Sequence, residues 1–273
     1  MIFKKQIHNW NLTEKIIANI YEPKNIKSLK QLLKNNKNLY FIKTGECGYG
    51  DKSLSTKTNN QLSLKNFNRI IKFNQKIGVI EVECGINLYK LSEYLFKRNY
   101  FLFNVPGGLQ VSLGGAISGN VHGRFSSKNF STFGDNIKSI KVLDKNLKIK
   151  KLDRNTKKFY NYIGGFGIFG VVLSAELYVR KIENFSYRRE KKYIQNINLF
   201  KNFFNQNESF YGFINQFRNE GFEGLFYSSQ GLNLKKKQST FKNNNKVKKN
   251  IFINILSLFL NKFTLRIFVN LIF

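Results

Sequence analysis

The stretch GGFGIFGVVLSAEL, Gly164 to Leu177, decides the fold class. Its Gly165, Gly167 and Gly170 have the spacing of a dinucleotide-binding turn. That turn works only where a strand precedes it, a helix opens at the last glycine, and an acid about twenty residues on holds a ribose. After Gly170, however, Val171, Leu173, Ala175, Leu177 and Val179 alternate with Val172, Ser174, Glu176 and Tyr178, which is the period-two pattern of a strand. Glu190 stands at the right distance, but it is embedded in RREKK and follows no strand–helix–strand unit. The turn is therefore expected to feed a strand and not a Rossmann helix.

Composition bounds what such a turn can belong to. The 273 residues, 42% hydrophobic and 15% aromatic, suffice for two domains with a substantial core. The formal net charge of +30 would suit a nucleic-acid partner. Yet the basic residues are mostly lysines spread along the chain among Asn, Ile and Phe, with only Ala18, Ala116 and Ala175 as alanines, as expected of an A+T-rich genome. No nucleic acid is expected. The runs Arg188–Lys192 and Lys235–Lys249 are dense enough to attract anions, although such runs ordinarily form solvated loops. The cysteines are Cys47 and Cys84, and MIFKKQIHNWNLTEK lacks the apolar segment of a signal peptide, so a cytoplasmic location is expected. No metal site is expected.

Several elements can be placed. Ile26, Leu29, Leu32 and Leu33 fit a helix capped by Asn25, and Leu39–Lys43 reads as a strand entering a glycine loop. Ile80, Val82 and Cys84 alternate with Glu81 and Glu83 as a strand, making Cys84 a core residue, and Asn87 caps a helix that aligns Leu88, Leu91 and Leu95. The final segment, IFINILSLFLNKFTLRIFVNLIF, is apolar but carries Lys262 and Arg266 near its middle, which favours a core or interface helix over a membrane span.

Glycine placement carries more information than the fingerprint. Of 20 glycines, three lie in Gly45–Gly50, seven in Gly107–Gly134 and four in Gly164–Gly170. Glycine concentrates where backbone turns tightly or approaches a ligand closely. TGECGYGD, Thr44 to Asp51, follows the strand at Leu39–Lys43 and reads either as an anion nest of backbone N–H groups or as an ordinary turn. PGGLQVSLGGAISGNVHG, Pro106 to Gly123, is bare of side chains yet apolar at its centre, which suggests a flat or extended ligand lying against it.

Together, YGD at Tyr49–Asp51, the PGG and GGAISGNVHG segments, FGDNI at Phe133–Ile137 and GGFGIFGVV at Gly164–Val172 resemble the FAD-binding domain of the vanillyl-alcohol oxidase and p-cresol methylhydroxylase (PCMH) superfamily. The nearest branch is that of decaprenylphosphoryl-ribose oxidase and the aldonolactone oxidases. The resemblance covers roughly residues 8 to 182, including Trp10. It implies an α+β fold, a two-subdomain PCMH-type FAD-binding domain at 1–182, followed by an incomplete substrate domain at 183–273. The implied cofactor contacts are Thr44, Gly45, Glu46, Cys47, Gly48, Tyr49, Gly50, Asp51, Gly107, Ser112, Leu113, Gly114, Gly115, Gly119, Asn120, Val121, His122 and Val171.

Cys47 stands where many superfamily members bond flavin covalently through histidine; the nearest branch holds FAD noncovalently, and noncovalent FAD is expected here. His122 has two readings, a hydrogen bond to the flavin or its ribityl chain and a structural bond to backbone. The implied chemistry is oxidation of a carbinol in a sugar, lactone or polyprenyl-phosphate sugar, with hydride passing to the flavin. Family members place a catalytic lysine and tyrosine late in the substrate domain, and no residue here matches them. Leu260–Thr264 resembles only the first part of that domain. The expectation is a truncated or split member, with a separate C-terminal fragment or a short-chain reductase as partner and an apolar tail suited to peripheral contact with a membrane surface.

Overall fold

The computed structural model describes residues 2–8, 15–35, 41–43, 58–123, 129–182, 186–207, 210–217, 221–232 and 264. The chain forms two compact units, one of residues 1–124 and 129–182, the other of 125–128 and 183–273. The fold is α+β.

In the first unit a mixed four-stranded sheet is built from β1 (Ile2–His8), β2 (Lys15–Tyr21), β3 (Phe41–Lys43) and β4 (Asn60–Ser63), in the order β1-β2-β4-β3. β1 and β2 are antiparallel, whereas β4 runs parallel to both β2 and β3. Between β2 and β3 lies α1 (Ile26–Asn35), where the Ser28 N–H donates to Oδ1 of the expected cap, Asn25 (2.9 Å). Its Leu29 is buried, and Leu32 and Leu33 pack beside it.

The second sheet of this unit is antiparallel. It contains β5 (Ile70–Asn74), β6 (Val79–Glu83), β7 (Tyr100–Leu102), β8 (Ile137–Leu143), β9 (Ile149–Asp153) and β10 (Val171–Lys181), in the order β5-β6-β10-β8-β9 with β7 also on β10. One face is covered by α2 (Leu88–Phe96), α3 (Leu113–Ser118) and α4 (Lys157–Tyr160), together with a 3-10 turn at Phe133–Asn136. Asn87 caps α2 by accepting from the Tyr89 N–H at 2.8 Å. Cys84 is fully buried in this core, and burial pushes its thiol pKa up, so it stays protonated and inert.

β10 confirms that the turn after Gly164 feeds a strand, but its alternation is not uniform. Val172, Ala175, Leu177 and Val179 join the main core, while Val171 and Leu173 join Leu29, Leu62, Leu64, Phe67 and Leu143 in a second cluster between the two sheets. Register shifts against β8 between Val172 and Ser174 and between Glu176 and Leu177 mark irregularities of the bulge type. A bulge adds a residue and so moves the alternation onto the other face.

The second unit has β11 (Ser186–Ile194), α5 (Ile197–Gln206), β12 (Phe210–Ile214) and β13 (Gly224–Leu232), with antiparallel order β11-β13-β12. Its core is aromatic: Phe203 and Phe226 are buried with Ile194, and Phe200, Phe210 and Phe222 pack around them. The solvated-loop reading of Arg188–Lys192 is corrected here, because all five residues lie in β11, paired with Phe226–Gln230 of β13. Within the run, Glu190, Lys191 and Lys192 are exposed. Lys235–Lys249 and, apart from helical Thr264, the apolar tail lie outside the described residues. Among the described residues no helix is long and apolar enough to cross a membrane.

Candidate cofactor site

The Pro106–Gly123 window is held to the core by backbone. The N–H groups of Leu88 and Tyr89 donate to the carbonyls of Val111 and Leu109 (2.9 and 2.8 Å), and those of Leu113 and Gly114 donate to Ile86 and Cys84 (2.8 and 2.7 Å). Asn87 Nδ2 adds a bond to the Gln110 carbonyl at 2.7 Å. Ser112 is buried and caps α3, its Oγ accepting from the Gly115 N–H at 3.2 Å. Leu113, Gly114, Ala116 and Ile117 face the core, which leaves Gly115, Ser118 and Gly119 on the accessible side.

The chain leaves α3 through Asn120, which has a left-handed backbone (φ +41°). Asn120 Oδ1 accepts from the Gly134 N–H (2.9 Å), and the Val121 carbonyl accepts from the Phe133 N–H (2.7 Å). His122 follows, exposed and without a hydrogen bond among the described residues. The Gly164–Gly170 turn lies against the same helix, since the Gly164 and Phe166 N–H groups donate to Ile117 (3.0 Å) and Ser118 (3.1 Å). Its tip presents Phe166, Ile168 and Phe169 at 51, 80 and 47% exposure. The Tyr162 hydroxyl, its pKa raised by burial and so kept as a donor, secures the Phe169 carbonyl at 3.0 Å.

Much of the glycine enrichment serves contacts within the protein. A Cβ on Gly123 would overlap the Val105 carbonyl, one on Gly165 the Asn161 carbonyl, and one on Gly170 the Leu143 carbonyl. On Gly134 it would come within 2.5 Å of Ile163 Cγ2 and 2.7 Å of Asn120 Oδ1. Gly167 differs, with nothing within 4 Å.

Of the residues expected to contact a cofactor, Ser112, Leu113, Gly114, Gly115, Gly119, Asn120, Val121 and His122 share one continuous surface segment or its support. Gly107 is exposed earlier in the same loop. Val171 lies at the end of the Gly164–Gly170 turn, with its side chain buried and its backbone paired with Leu143, so only backbone is offered there. Thr44 through Asp51, Cys47 included, lie outside the described residues.

Sequence reading missed the support behind this surface. Buried Asn136 donates from Nδ2 to the Asn104 and Phe133 carbonyls (2.8 and 3.1 Å) and accepts at Oδ1 from Phe103 and Asn104 N–H groups (3.1 and 3.0 Å). Asp135 Oδ2 accepts from the Thr132 N–H (2.9 Å), Thr132 Oγ1 (3.2 Å) and Ser131 Oγ (3.2 Å). Partial burial by itself would raise the Asp135 pKa, but these bonds and the Arg154 charge hold it below the usual carboxylate value. The Thr132–Asp135 spacing is that of a capping box and was visible in the sequence. Arg154 and Asn104 carry no such local signal.

Comparison with known proteins decides the family. The sequence model described as FAD binding domain matches residues 18–153. Those residues belong to the FAD binding domain family. The match runs from within β2 to the end of β9, whereas β10, which pairs with β6 and β8, falls beyond it. A stretch of 113 residues is 26% identical to a decaprenylphosphoryl-beta-D-ribose oxidase of Mycolicibacterium smegmatis, covering 40% of this chain and 24% of that protein. A stretch of 101 residues is 30% identical to a putative D-arabinono-1,4-lactone oxidase of Neurospora crassa, covering 37% and 18%. An uncharacterized protein in the mprA 5' region of Streptomyces coelicolor is 29% identical over 97 residues, covering 36% and 26%. The matches thus span about a quarter or less of these relatives. The described surface suits FAD chemically: bare backbone beside α3, an exposed imidazole at His122 and an exposed apolar turn would meet the polar chain and the ring of a dinucleotide.

Proposed function

We propose that the chain is the cofactor-binding part of an FAD-dependent oxidoreductase that converts a hydroxyl-bearing carbon of a sugar, sugar lactone or polyprenyl-phosphate sugar to a carbonyl. The observation that carries this reading is the anchored segment from Ser112 to His122, which ends in an exposed imidazole without a hydrogen-bond partner among the described residues. The substrate class follows from the names of the two oxidases matched by sequence. Bound FAD would supply the acceptor for the hydride leaving the carbinol carbon. Gly115, Gly119 and Asn120 to His122 would hold it, with Phe166, Ile168 and Phe169 bounding the same surface. Of the two readings of His122, the hydrogen bond to the cofactor is preferred, because among the described residues no backbone group takes up the ring. Noncovalent binding is part of the proposal, and the described thiol, Cys84, is buried and protonated.

Titration of purified apoprotein with FAD, followed by flavin fluorescence, tests the binding. Saturable uptake that is released on denaturation is expected, and His122→Ala should weaken it about tenfold, the loss of roughly one hydrogen bond. Anaerobic bleaching of the bound flavin by sugar lactones or polyprenyl-phosphate sugars tests the substrate class. Bleaching by neither overturns that class, and unchanged affinity in His122→Ala overturns the histidine contact.

A further inference from the structure

We infer that Arg154 is a positioning residue for the segment Asn120–His122, acting through the Phe133–Asn136 turn; this role rests on the cofactor reading above. Arg154 follows β9 and, among the described residues, touches none of those assigned to the cofactor. Its Nη1 donates to three backbone carbonyls, Gly134 (2.8 Å), Ile137 (3.0 Å) and Asp135 (3.3 Å), and its Nη2 faces Asp135 Oδ1 at 3.5 Å. One guanidinium therefore gathers two carbonyls of the turn and the first of β8, while the Phe133 and Gly134 N–H groups of the turn donate to the Val121 carbonyl and the Asn120 side chain.

Gly134 is the joint. Its carbonyl accepts from Arg154 while its N–H donates to Asn120 Oδ1 at 2.9 Å. Its missing Cβ leaves no slack on that side, given the approach of Ile163 and Asn120. The next bond, from Phe133 N–H to the Val121 carbonyl at 2.7 Å, ties the following residue. Asn120 has a left-handed backbone, held on one side by bonds from the Asn120 and Val121 N–H groups to the Ile117 and Ala116 carbonyls (3.0 and 3.2 Å) and on the other by its side-chain bond to Gly134. A displaced turn would break the bonds of Gly134 and Phe133 to Asn120 and Val121 and leave the segment that carries His122 held on the α3 side alone.

Lysine cannot substitute in this arrangement. A guanidinium presents several N–H directions in a rigid fork, whereas an ammonium is a point charge on a flexible stem. Arg154→Lys therefore keeps the charge opposite Asp135 and loses the gathering of carbonyls, and Arg154→Met removes both. Both variants are expected to bind FAD about tenfold more weakly, the usual scale when groups behind a binding site are removed. Both should also change the visible circular dichroism of bound FAD, and in the apoprotein the Phe133 and Gly134 amides should exchange faster. Lys158→Met, an exposed site on α4, is the control and should match wild type. Variants with lowered thermal stability but wild-type FAD affinity and dichroism would show that Arg154 serves stability alone, and so would loss of the fold in both. Wild-type protein with no FAD affinity would overturn the cofactor reading and this role together, an outcome that needs no variant to see.

Discussion

Gly165 and Gly167 look equivalent in the fingerprint spacing, yet the structure needs them for opposite reasons. At Gly165 the backbone conformation is ordinary, and a Cβ would overlap the Asn161 carbonyl. At Gly167 there is open space but φ is +79°. Gly165→Ala should therefore destabilise the fold by about 1–3 kcal/mol through overpacking. Gly167→Ala should cost about 1 kcal/mol through left-handed backbone alone, and Gly167→Asn less than that. Urea midpoints of the three variants check the order, and equal losses at both positions would remove the distinction. Residue types alone revealed where backbone is bare. They could not reveal what fills the space, because the Val105, Asn161 and Leu143 carbonyls that do so lie elsewhere in the chain. Arg154 was illegible for the same reason, since its partners are carbonyls, which every residue possesses.

Elements with strong local signals were read closely from sequence, as Asn25 and Asn87 show by capping α1 and α2. α3 was not, since a six-residue helix with two glycines has neither length nor propensity to announce it, and tertiary bonds such as those from Leu113 and Gly114 to the Ile86 and Cys84 carbonyls help to place it. β11 was masked by its charges. Two elements depend on carboxylates whose pKa values are lowered. Burial acting alone would raise Glu176 on β10, but Ser139, Lys151 and Lys138 outweigh it, and at Asp135 the Thr132 and Ser131 bonds and Arg154 do the same. A carboxyl with a lower pKa folded than unfolded binds more protons when unfolded, so its contribution is present above the unfolded value and is lost as pH falls through the folded one. Stability should therefore hold above about pH 5 and decline below about pH 4, where unfolded carboxyls begin to protonate. In Asp135→Asn the acid-induced decline should be shallower, with lower stability at neutral pH. An unchanged slope of stability against pH in that variant would mean that Asp135 is not one of the groups responsible.

At the scale of the whole molecule, the two units have separate hydrophobic clusters, the first around the two sheets and the second around Phe203 and Phe226. Every residue assigned to the cofactor, including Thr44 to Asp51, belongs to the first unit by its position in the chain. A ligand that binds only the folded form stabilises what it binds, by about 2.7 kcal/mol at a concentration one hundred times its dissociation constant. Saturating FAD should accordingly slow amide exchange in peptides from 80–123 and 133–177 and leave those from 190–206 and 224–228 unchanged. Peptide-resolved exchange of the same sample with and without FAD separates the possibilities directly. Protection confined to the first unit supports a cofactor held by that unit alone. Equal protection of the aromatic core around Phe226 would mean that the second unit supplies cofactor contacts or folds together with the first, and the site would then have to be extended beyond the residues assigned to it.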